Sequence, residues 1–178
     1  HPLVPNPLTL LLIPLLTSII LTLSDSFPSS MPLRSPPPTL KLIAFDLDGT
    51  LWSPDMYMLW PGGSPFTKIT STLLKDTLGK DVRLLGCTGE VLDLCSSSDV
   101  VVAWVSCTDE PSWALECSKL FSTPSAKTVR SSCDIPCVYK SDKRVHFSEL
   151  KEKTNFEYGE MLFFDNEERN IKNVQGLG

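Results

Sequence analysis

Four short apolar runs, separated by segments of helical character, constrain the fold of this chain more than any other feature. The runs are LKLIAF from Leu40, VVVAWVS from Val100, CVYK from Cys137 and EMLFFD from Glu160. The segments between and after them are typical of helices: GEVLDLCSSSD, DEPSWALECSKLF, VHFSELKEKTNF and NEERNIKNVQGLG. Because strands that alternate with helices favour βαβ units, we predict an α/β fold with a Rossmann-like, mostly parallel sheet flanked by helices.

Two helix boundaries can be predicted from capping residues. Asp109 is a candidate N-cap for the second helix, which carries Pro111 in its first turn. We expect the last helix to stop at Gly176, because glycine commonly follows the end of a helix.

Polar side chains stand where three of the four runs end. The first run ends at Asp46, with Asp48 two residues later. The second run ends at Ser106 and the fourth at Asp165, and the third is followed by the basic stretch KSDKR. Sites in open parallel sheets form beyond the carboxyl ends of the strands, so we expect these side chains to lie close together.

A cluster of carboxylates points to a metal. Clustered carboxylates repel one another, and a hard divalent cation relieves that repulsion. We predict a Mg²⁺ site formed by Asp46, Asp48 and Asp165, with the backbone carbonyl of Leu47 or Asp48 as a further ligand. One carboxylate beside Mg²⁺ can attack phosphorus, and a second can protonate the leaving oxygen and then activate water. Gly49 would permit the tight turn that brings Asp48 back to the site.

The charge of the chain fits the same chemistry. The net charge is −5 and no basic stripe stands out, which argues against a nucleic-acid surface. Ser106 and a lysine can hold phosphoryl oxygens and offset their charge. An acidic chain that handles phosphate would take the remaining positive charge from the metal.

Residues 1–38 differ from the rest, being hydrophobic and rich in proline and serine, and we interpret them as an N-terminal segment and linker before a domain at 39–178. The uncharged run at 8–23 has the length of a signal-peptide core, yet no Lys or Arg precedes it. Two interpretations stay open: a targeting or anchor segment, or non-native sequence upstream of a start at Met31. A genuine leader in residues 1–30 would imply an organelle or the secretory route; otherwise we expect a cytoplasmic protein.

Several motifs resemble those of a known superfamily. FDLDGT, the triplet Ser106-Cys107-Thr108, a lysine and FFDNEERN resemble motifs I to IV of the haloacid dehalogenase (HAD) superfamily. FDLDGTLW, SPFTK, SDKRVHFSELKEKT and MLFFDNEERNI resemble, within it, the magnesium-dependent phosphatase family, also called acid phosphatase-like. The resemblance covers about Leu40 to Gly178.

The resemblance implies a Mg²⁺-dependent phosphomonoesterase without a large cap domain. It would hydrolyse phosphotyrosine-like or sugar phosphates through an aspartyl-phosphate, with Asp46 as nucleophile and Asp48 as general acid and base. Asp46, Asp48 and Asp165 would hold the metal. The substrate would be a phosphorylated small molecule or a phosphoprotein, and we expect a monomer with no nucleic-acid partner. A membrane would be a partner only if the N-terminal segment is an anchor.

The resemblance also assigns the phosphoryl-binding residues. Ser106, Cys107 and Lys143 would bind the substrate, with Lys140 as the alternative lysine. The chain departs from the family pattern at Cys107, where an arginine is usual, and at Asn166, where a second acidic residue is usual. The family also continues with a further strand and helix, so a C-terminal truncation is one interpretation. These departures leave an alternative open: a catalytically impaired HAD-fold binding module, or pseudoenzyme.

The segment WSPDMYMLWPGGSPF, which begins at Trp52, has two interpretations. Its aromatic residues could form a flap or hairpin over the site, or they could simply pack on the sheet. A cysteine-based phosphatase is not favoured, because Trp113 stands where C-x5-R spacing from Cys107 would need an arginine.

Overall fold

The computed structural model describes residues 40–178, which form two four-stranded sheets and four α-helices. The strands are β1 (Leu42–Phe45), β2 (Trp52–Ser53), β3 (Thr67–Lys68), β4 (Leu73–Lys75), β5 (Asp81–Leu84), β6 (Val101–Ser106), β7 (Ile135–Val138) and β8 (Met161–Phe164). The helices are α1 (Thr88–Ser96), α2 (Pro111–Leu120), α3 (Lys143–Thr154) and α4 (Glu168–Gln175). Short 3-10 helices cover Met56–Leu59, Val129–Ser132 and Tyr158–Glu160. The interpretations of the N-terminal segment lie outside the described residues.

The first sheet is parallel throughout and has the strand order β7-β6-β1-β8. Its register aligns Leu42 of β1 with Val101 of β6 on one side and Met161 of β8 on the other. The buried residues of one face pack with α1 and α2, and those of the other face pack with α3. The prediction of an α/β fold with a mostly parallel sheet flanked by helices is therefore confirmed.

The second sheet is antiparallel, has the order β2-β5-β4-β3, and is inserted between β1 and α1. Trp52, Leu74 and Val82 from this sheet are fully buried in the same apolar core as Trp104 of β6. The insertion is thus part of the main body, and no large cap is evident among the described residues. The sequence left two interpretations open here, a flap or hairpin over the site or aromatic residues that pack on the sheet, and it did not predict a second sheet, because strands of two to four residues leave no clear apolar period.

The predicted start of the second helix was wrong by one residue. Glu110, not Asp109, occupies the N-cap position, and its side chain makes no capping hydrogen bond. Pro111 is the first residue of the helix, so the residue directly before it becomes the cap. Asp109 instead pairs with Lys140, at 2.5 Å between their charged atoms.

The starts of β7 and α3 also differ from the prediction. The third strand begins at Ile135, and it tolerates Pro136 because β7 lies at the edge of the sheet. Helix α3 begins at Lys143, before the predicted start, because Asp142 caps it by accepting a hydrogen bond from the Arg144 backbone N–H (2.8 Å). The end of the last helix at Gly176 is as predicted.

No helix within residues 40–178 combines the length and the apolar character needed to cross a membrane.

Candidate active site

A cleft of about 170 Å³ opens beyond the carboxyl ends of the parallel strands. Asp46 follows β1 directly, and its backbone N–H donates to the Phe164 carbonyl of β8 (2.9 Å). The hydrogen bonds that pair β1 with β8 therefore continue as far as the cleft. Ser106 is the last residue of β6 and is buried. The lining residues are Asp46, Asp48, Asp55, Ser106, Cys107, Thr108, Lys143, Asn166, Glu167, Arg169 and Asn170.

Lys143 joins the ends of three strands. It lies in the first turn of α3, and its buried Nζ donates to Asp46 Oδ1 (2.5 Å), Asp165 Oδ2 (3.1 Å) and the Val105 carbonyl. The alternative lysine, Lys140, is exposed and paired with Asp109. The structure therefore places Lys143 in the cleft and Lys140 outside it.

The surroundings of Asp46 disfavour the ionised form of its carboxyl group. Burial raises the pKa of Asp46 to about 7, although the Lys143 ammonium acts in the opposite direction. The nearby Asp165 carboxylate adds to the increase. Burial thus outweighs the positive charge that Lys143 supplies, and a further cation would stabilise the ionised form.

The Asp48 carboxylate is held by hydrogen bonds from β2 and from the 3-10 helix that follows it. Its Oδ1 accepts a hydrogen bond from Trp52 Nε1 (2.8 Å), and its Oδ2 accepts one from the Met56 backbone N–H (3.1 Å). Burial raises the pKa of Asp48, and these hydrogen bonds offset only part of the increase. A positioned carboxyl group with a raised pKa holds its proton more readily than an ordinary aspartate, which suits a proton donor.

The turn between the two aspartates depends on Gly49. Its φ is +75°, and a Cβ atom built on it would lie 2.4 Å from Asn166 Nδ2. Asn166 is tied to the same turn, because its backbone N–H donates to Thr50 Oγ1 (3.1 Å). Glycine is therefore needed both for the backbone angle and for the close approach.

Asp165 lies behind the cleft and does not line it. Its fully buried carboxylate contacts Lys143 and accepts hydrogen bonds from Asn170 Nδ2 (3.1 and 3.0 Å) and from the Glu167 backbone N–H (2.7 Å). Asn170 is a contributor that sequence reasoning missed, although its place in the predicted last helix, five residues after Asp165, was visible. Trp52 was noted only as part of a motif, and no local pattern could have revealed its bond to Asp48.

The three predicted metal ligands are only partly brought together. Among residues 40–178, no three His, Cys, Asp or Glu side chains are grouped so as to hold a metal ion. Asp46 and Asp165 meet at Lys143, whereas the Asp48 carboxylate is turned toward Trp52. Of the two backbone carbonyls predicted as a further ligand, that of Leu47 accepts hydrogen bonds from the backbone N–H groups of Thr50, Leu51 and Trp52, whereas that of Asp48 accepts none from the backbone within residues 40–178.

The donor chemistry nevertheless fits Mg²⁺. The cleft offers carboxylate, amide and hydroxyl oxygens, which are the ligands that Mg²⁺ prefers. Four carboxylates line it against two cationic side chains, Lys143 and Arg169. A phosphate would be repelled by this excess of negative charge, and a divalent cation would remove the repulsion.

Comparison with known proteins decides the family. The sequence pattern of the acid phosphatase family matches residues 38–178. The chain belongs to the acid phosphatase family. It is thereby a phosphatase of the HAD superfamily, as the motif resemblance predicted.

Two curated relatives of this acid phosphatase span most of it. Human magnesium-dependent phosphatase 1 is 36% identical over 138 residues, which cover 78% of this chain and 74% of the relative. A HAD-like hydrolase superfamily protein of Schizosaccharomyces pombe is 28% identical over 146 residues, covering 78% and 81% respectively.

Two solved structures share the fold of the acid phosphatase. One is the N-terminal part of a Bacteroides fragilis protein that contains a phosphatase domain complexed with Mg, with a TM-score of 0.53 and 14% identity. That match covers 78% of this chain but 34% of the other. The second is a predicted HAD-like family hydrolase from Porphyromonas gingivalis, with a TM-score of 0.50, 18% identity and coverage of 79% and 88%.

Proposed function

We propose that this acid phosphatase hydrolyses phosphate monoesters, either phosphotyrosine-like or sugar phosphates, through an aspartyl-phosphate formed on Asp46. One observation carries the proposal: Lys143 Nζ joins the Asp46 carboxylate to the end of β6, where Ser106 stands. A nucleophile, a phosphoryl-binding hydroxyl and a cation thus meet in one polar cleft.

Mg²⁺ is the cofactor. The human relative is named a magnesium-dependent phosphatase, and the B. fragilis phosphatase domain is complexed with Mg. In this chain the side chains of Asp46 and Asp165 would hold the ion, together with the backbone carbonyl of Leu47 or Asp48. When bound, Mg²⁺ would offset the negative charge of the phosphoryl oxygens and of the carboxylates.

The two aspartates divide the chemistry. In the first step an Asp46 carboxylate oxygen attacks phosphorus, the bond from phosphorus to the ester oxygen breaks, and Asp48 gives its proton to the leaving oxygen. In the second step Asp48 takes a proton from water, the water oxygen attacks phosphorus, and the bond to Asp46 breaks. Trp52 and Met56 keep the Asp48 carboxyl in one orientation for both transfers.

Ser106 and Lys143 would hold the phosphoryl group. Ser106 Oγ accepts a weak hydrogen bond from the Thr108 backbone N–H (3.4 Å), which leaves its own proton available for a phosphoryl oxygen. Burial raises the pKa of the Cys107 thiol, and Lys143 offsets only part of this increase. Cys107 therefore stays a neutral thiol, and it supplies no charge where an arginine would make two bonds to phosphate.

Hydrolysis of a generic aryl phosphate by the chain, with Mg²⁺ or with EDTA, tests the proposal. We expect activity that requires Mg²⁺ and falls about a thousandfold in Asp46→Asn, equivalent to about 4 kcal/mol. Asp55→Asn is the matched control, because Asp55 also lines the cleft but has no part in the steps above. Mass spectrometry of acid-quenched wild-type protein should find the phosphoryl group on the peptide that carries Asp46.

A folded protein that binds Mg²⁺ but turns over no substrate would contradict the proposal. That result would favour the alternative of an impaired binding module. Equal losses in Asp46→Asn and Asp55→Asn would argue against an aspartyl-phosphate at Asp46.

A further inference from the structure

Three large apolar side chains stand exposed in the segment between β2 and β3. Tyr57 is 58% exposed, Met58 47% and Trp60 63%, whereas their neighbours Met56 and Leu59 are buried. We call Tyr57, Met58 and Trp60 the rim patch. Exposed apolar groups that lie together commonly mark a binding surface.

The rim patch is held in place by specific contacts. Trp60 Nε1 donates to Glu110 Oε1 (2.8 Å), and the Trp60 ring lies 5.5 Å from the ring of Trp113. Lys80 Nζ donates to the Met58 carbonyl (2.7 Å). These contacts hold the Trp60 ring and the Met58 backbone in place before any ligand arrives, which lowers the entropic cost of binding.

Two short connections join the rim patch to the cleft. Asp55, which lines the cleft, directly precedes the 3-10 helix that carries Tyr57 and Met58. The second connection runs through Glu110. Its carboxylate accepts the hydrogen bond from Trp60, and its backbone N–H donates to Thr108 Oγ1 (3.2 Å). Thr108 in turn lines the cleft. The rim-patch residues are therefore neighbours of residues that line the cleft, without lining it themselves.

Apart from the Cys107 thiol, the cleft offers no apolar side chain to the organic part of a substrate. Every other lining residue is polar or charged. A phosphoryl group suits such a cleft, but an aromatic ring does not. The organic part of a phosphate ester must therefore extend out of the cleft, where the rim patch offers an aromatic surface.

We propose that Tyr57 and Trp60 are specificity-determining residues that bind the ring of an aryl phosphate while its phosphoryl group occupies the cleft. This inference rests on the proposed function, and it favours aryl phosphates over sugar phosphates. Aromatic side chains pair with aromatic rings in offset or edge-to-face arrangements, and neither requires the ligand to donate or accept a hydrogen bond.

The first test compares an aryl phosphate with glucose 6-phosphate as substrates of wild type, Tyr57→Ala and Trp60→Ala. Each variant should lower kcat/KM for the aryl phosphate about fivefold, through KM and not kcat, and should leave glucose 6-phosphate unchanged. Ile69→Ala removes another exposed apolar side chain (49%), just beyond β3, and should affect neither substrate. Equal losses for both substrates, or no loss for the aryl phosphate, would overturn the inference.

A second test does not depend on turnover. Calorimetric titration of the full chain with phenylphosphonate and methylphosphonate, in the presence of Mg²⁺, measures the contribution of the ring alone. Wild type should bind phenylphosphonate more tightly, and Tyr57→Ala and Trp60→Ala should reduce that preference. Equal affinity of wild type for the two phosphonates would refute the role of the rim patch in ring binding. If wild type prefers phenylphosphonate but hydrolyses no phosphate ester, only the proposed function is refuted.

Discussion

Asp46 of the parallel sheet and Asp76 of the antiparallel sheet are almost equally buried, at 7% and 6% exposure, yet their pKa values move in opposite directions. Burial raises the pKa of Asp46 to about 7. Burial also acts to raise the pKa of Asp76, but hydrogen bonds from the backbone N–H groups of Lys80, Gly63 and Leu78 outweigh it and lower the pKa. Low solvent exposure alone therefore does not identify a functional carboxylate, because the two groups differ both in how far burial desolvates them and in their hydrogen-bond donors.

The difference extends to how each sheet is built. The parallel sheet has strands of four to six residues that are stabilised by apolar packing with helices on both faces. The antiparallel sheet has strands of two to four residues, and carboxylates tie its loops together. Asp76 accepts the three backbone hydrogen bonds already named, and Glu116 of α2 accepts from the Phe66 backbone N–H (2.7 Å) and Ser64 Oγ (2.5 Å). In the antiparallel sheet these carboxylates are satisfied by hydrogen bonds that hold loops together, whereas at the end of the parallel sheet Asp46 lines the cleft.

Removal of the cation that the Asp46 site depends on should have the largest effect. Lys143→Met would leave Asp46 and Asp165 buried without their shared partner. We expect aryl phosphate turnover to fall about a thousandfold, and the free energy of unfolding in urea to fall by about 3 kcal/mol. Lys140→Met is the control, because its exposed pair with Asp109 contributes little. Similar turnover in the two variants would mean that Lys143 has no particular role in the reaction.

Loss of the structural carboxylate should affect stability and not chemistry. Asp76→Ala removes the acceptor of three backbone N–H groups, and we expect the free energy of unfolding to fall by about 3 kcal/mol. The folded variant should keep a kcat close to that of wild type.

The same carboxylate should make stability depend on pH. Because the folded-state pKa of Asp76 lies below its ordinary value of 3.8, its contribution is fully present above pH 3.8 and is lost as the pH falls through the folded-state pKa. Urea unfolding of wild type and Asp76→Ala at neutral pH and below pH 3.8 should show the gap between them closing in acid. A gap that widens in acid would contradict the lowered pKa.

Trp52 of the second sheet donates its indole N–H to Asp48, and Trp52→Phe removes this donor together with part of the ring. Trp52→Phe should lower kcat about tenfold, or about 1.4 kcal/mol, with little change in KM, because Asp48 loses one of the two donors that orient it. Trp104→Phe is a matched control: Trp104 is buried in the same core, and among the described residues its indole N–H has no hydrogen-bond partner. If both variants lose kcat equally, the effect comes from packing and not from Asp48.

The smallest effect is expected from replacing two glycines that have similar backbone angles and different surroundings. Gly49 beside the cleft has φ +75°, and Gly79 in the turn between β4 and β5 has φ +80° with no atom within 4 Å of a built Cβ. Gly79→Ala should reduce the free energy of unfolding by about 1 kcal/mol. Gly49→Ala should cost about 0.5 kcal/mol more, because it also displaces the Asn166 side chain. Equal values in urea unfolding would mean that Asn166 moves aside freely.

The sequence by itself determined the parallel sheet and the polar edge of the site. Buried strands and amphipathic helices are local patterns, and the carboxyl ends of parallel strands must meet at one edge. The order of residue types along the chain is therefore enough to place Asp46, Ser106 and Asp165 near one another. The turn at Gly49 was equally readable, because so few residues accept a positive φ.

Only the tertiary structure decided between Lys143 and Lys140, which lie three residues apart in one basic stretch. It also divided the aromatic residues of the flap segment into the buried Trp52 and Phe66 and the exposed Tyr57 and Trp60. The contact between Lys143 and Asp46 spans 97 residues of sequence, and that between Trp60 and Glu110 spans 50. Such contacts depend on where whole strands and helices lie, and no local pattern of residue types records that.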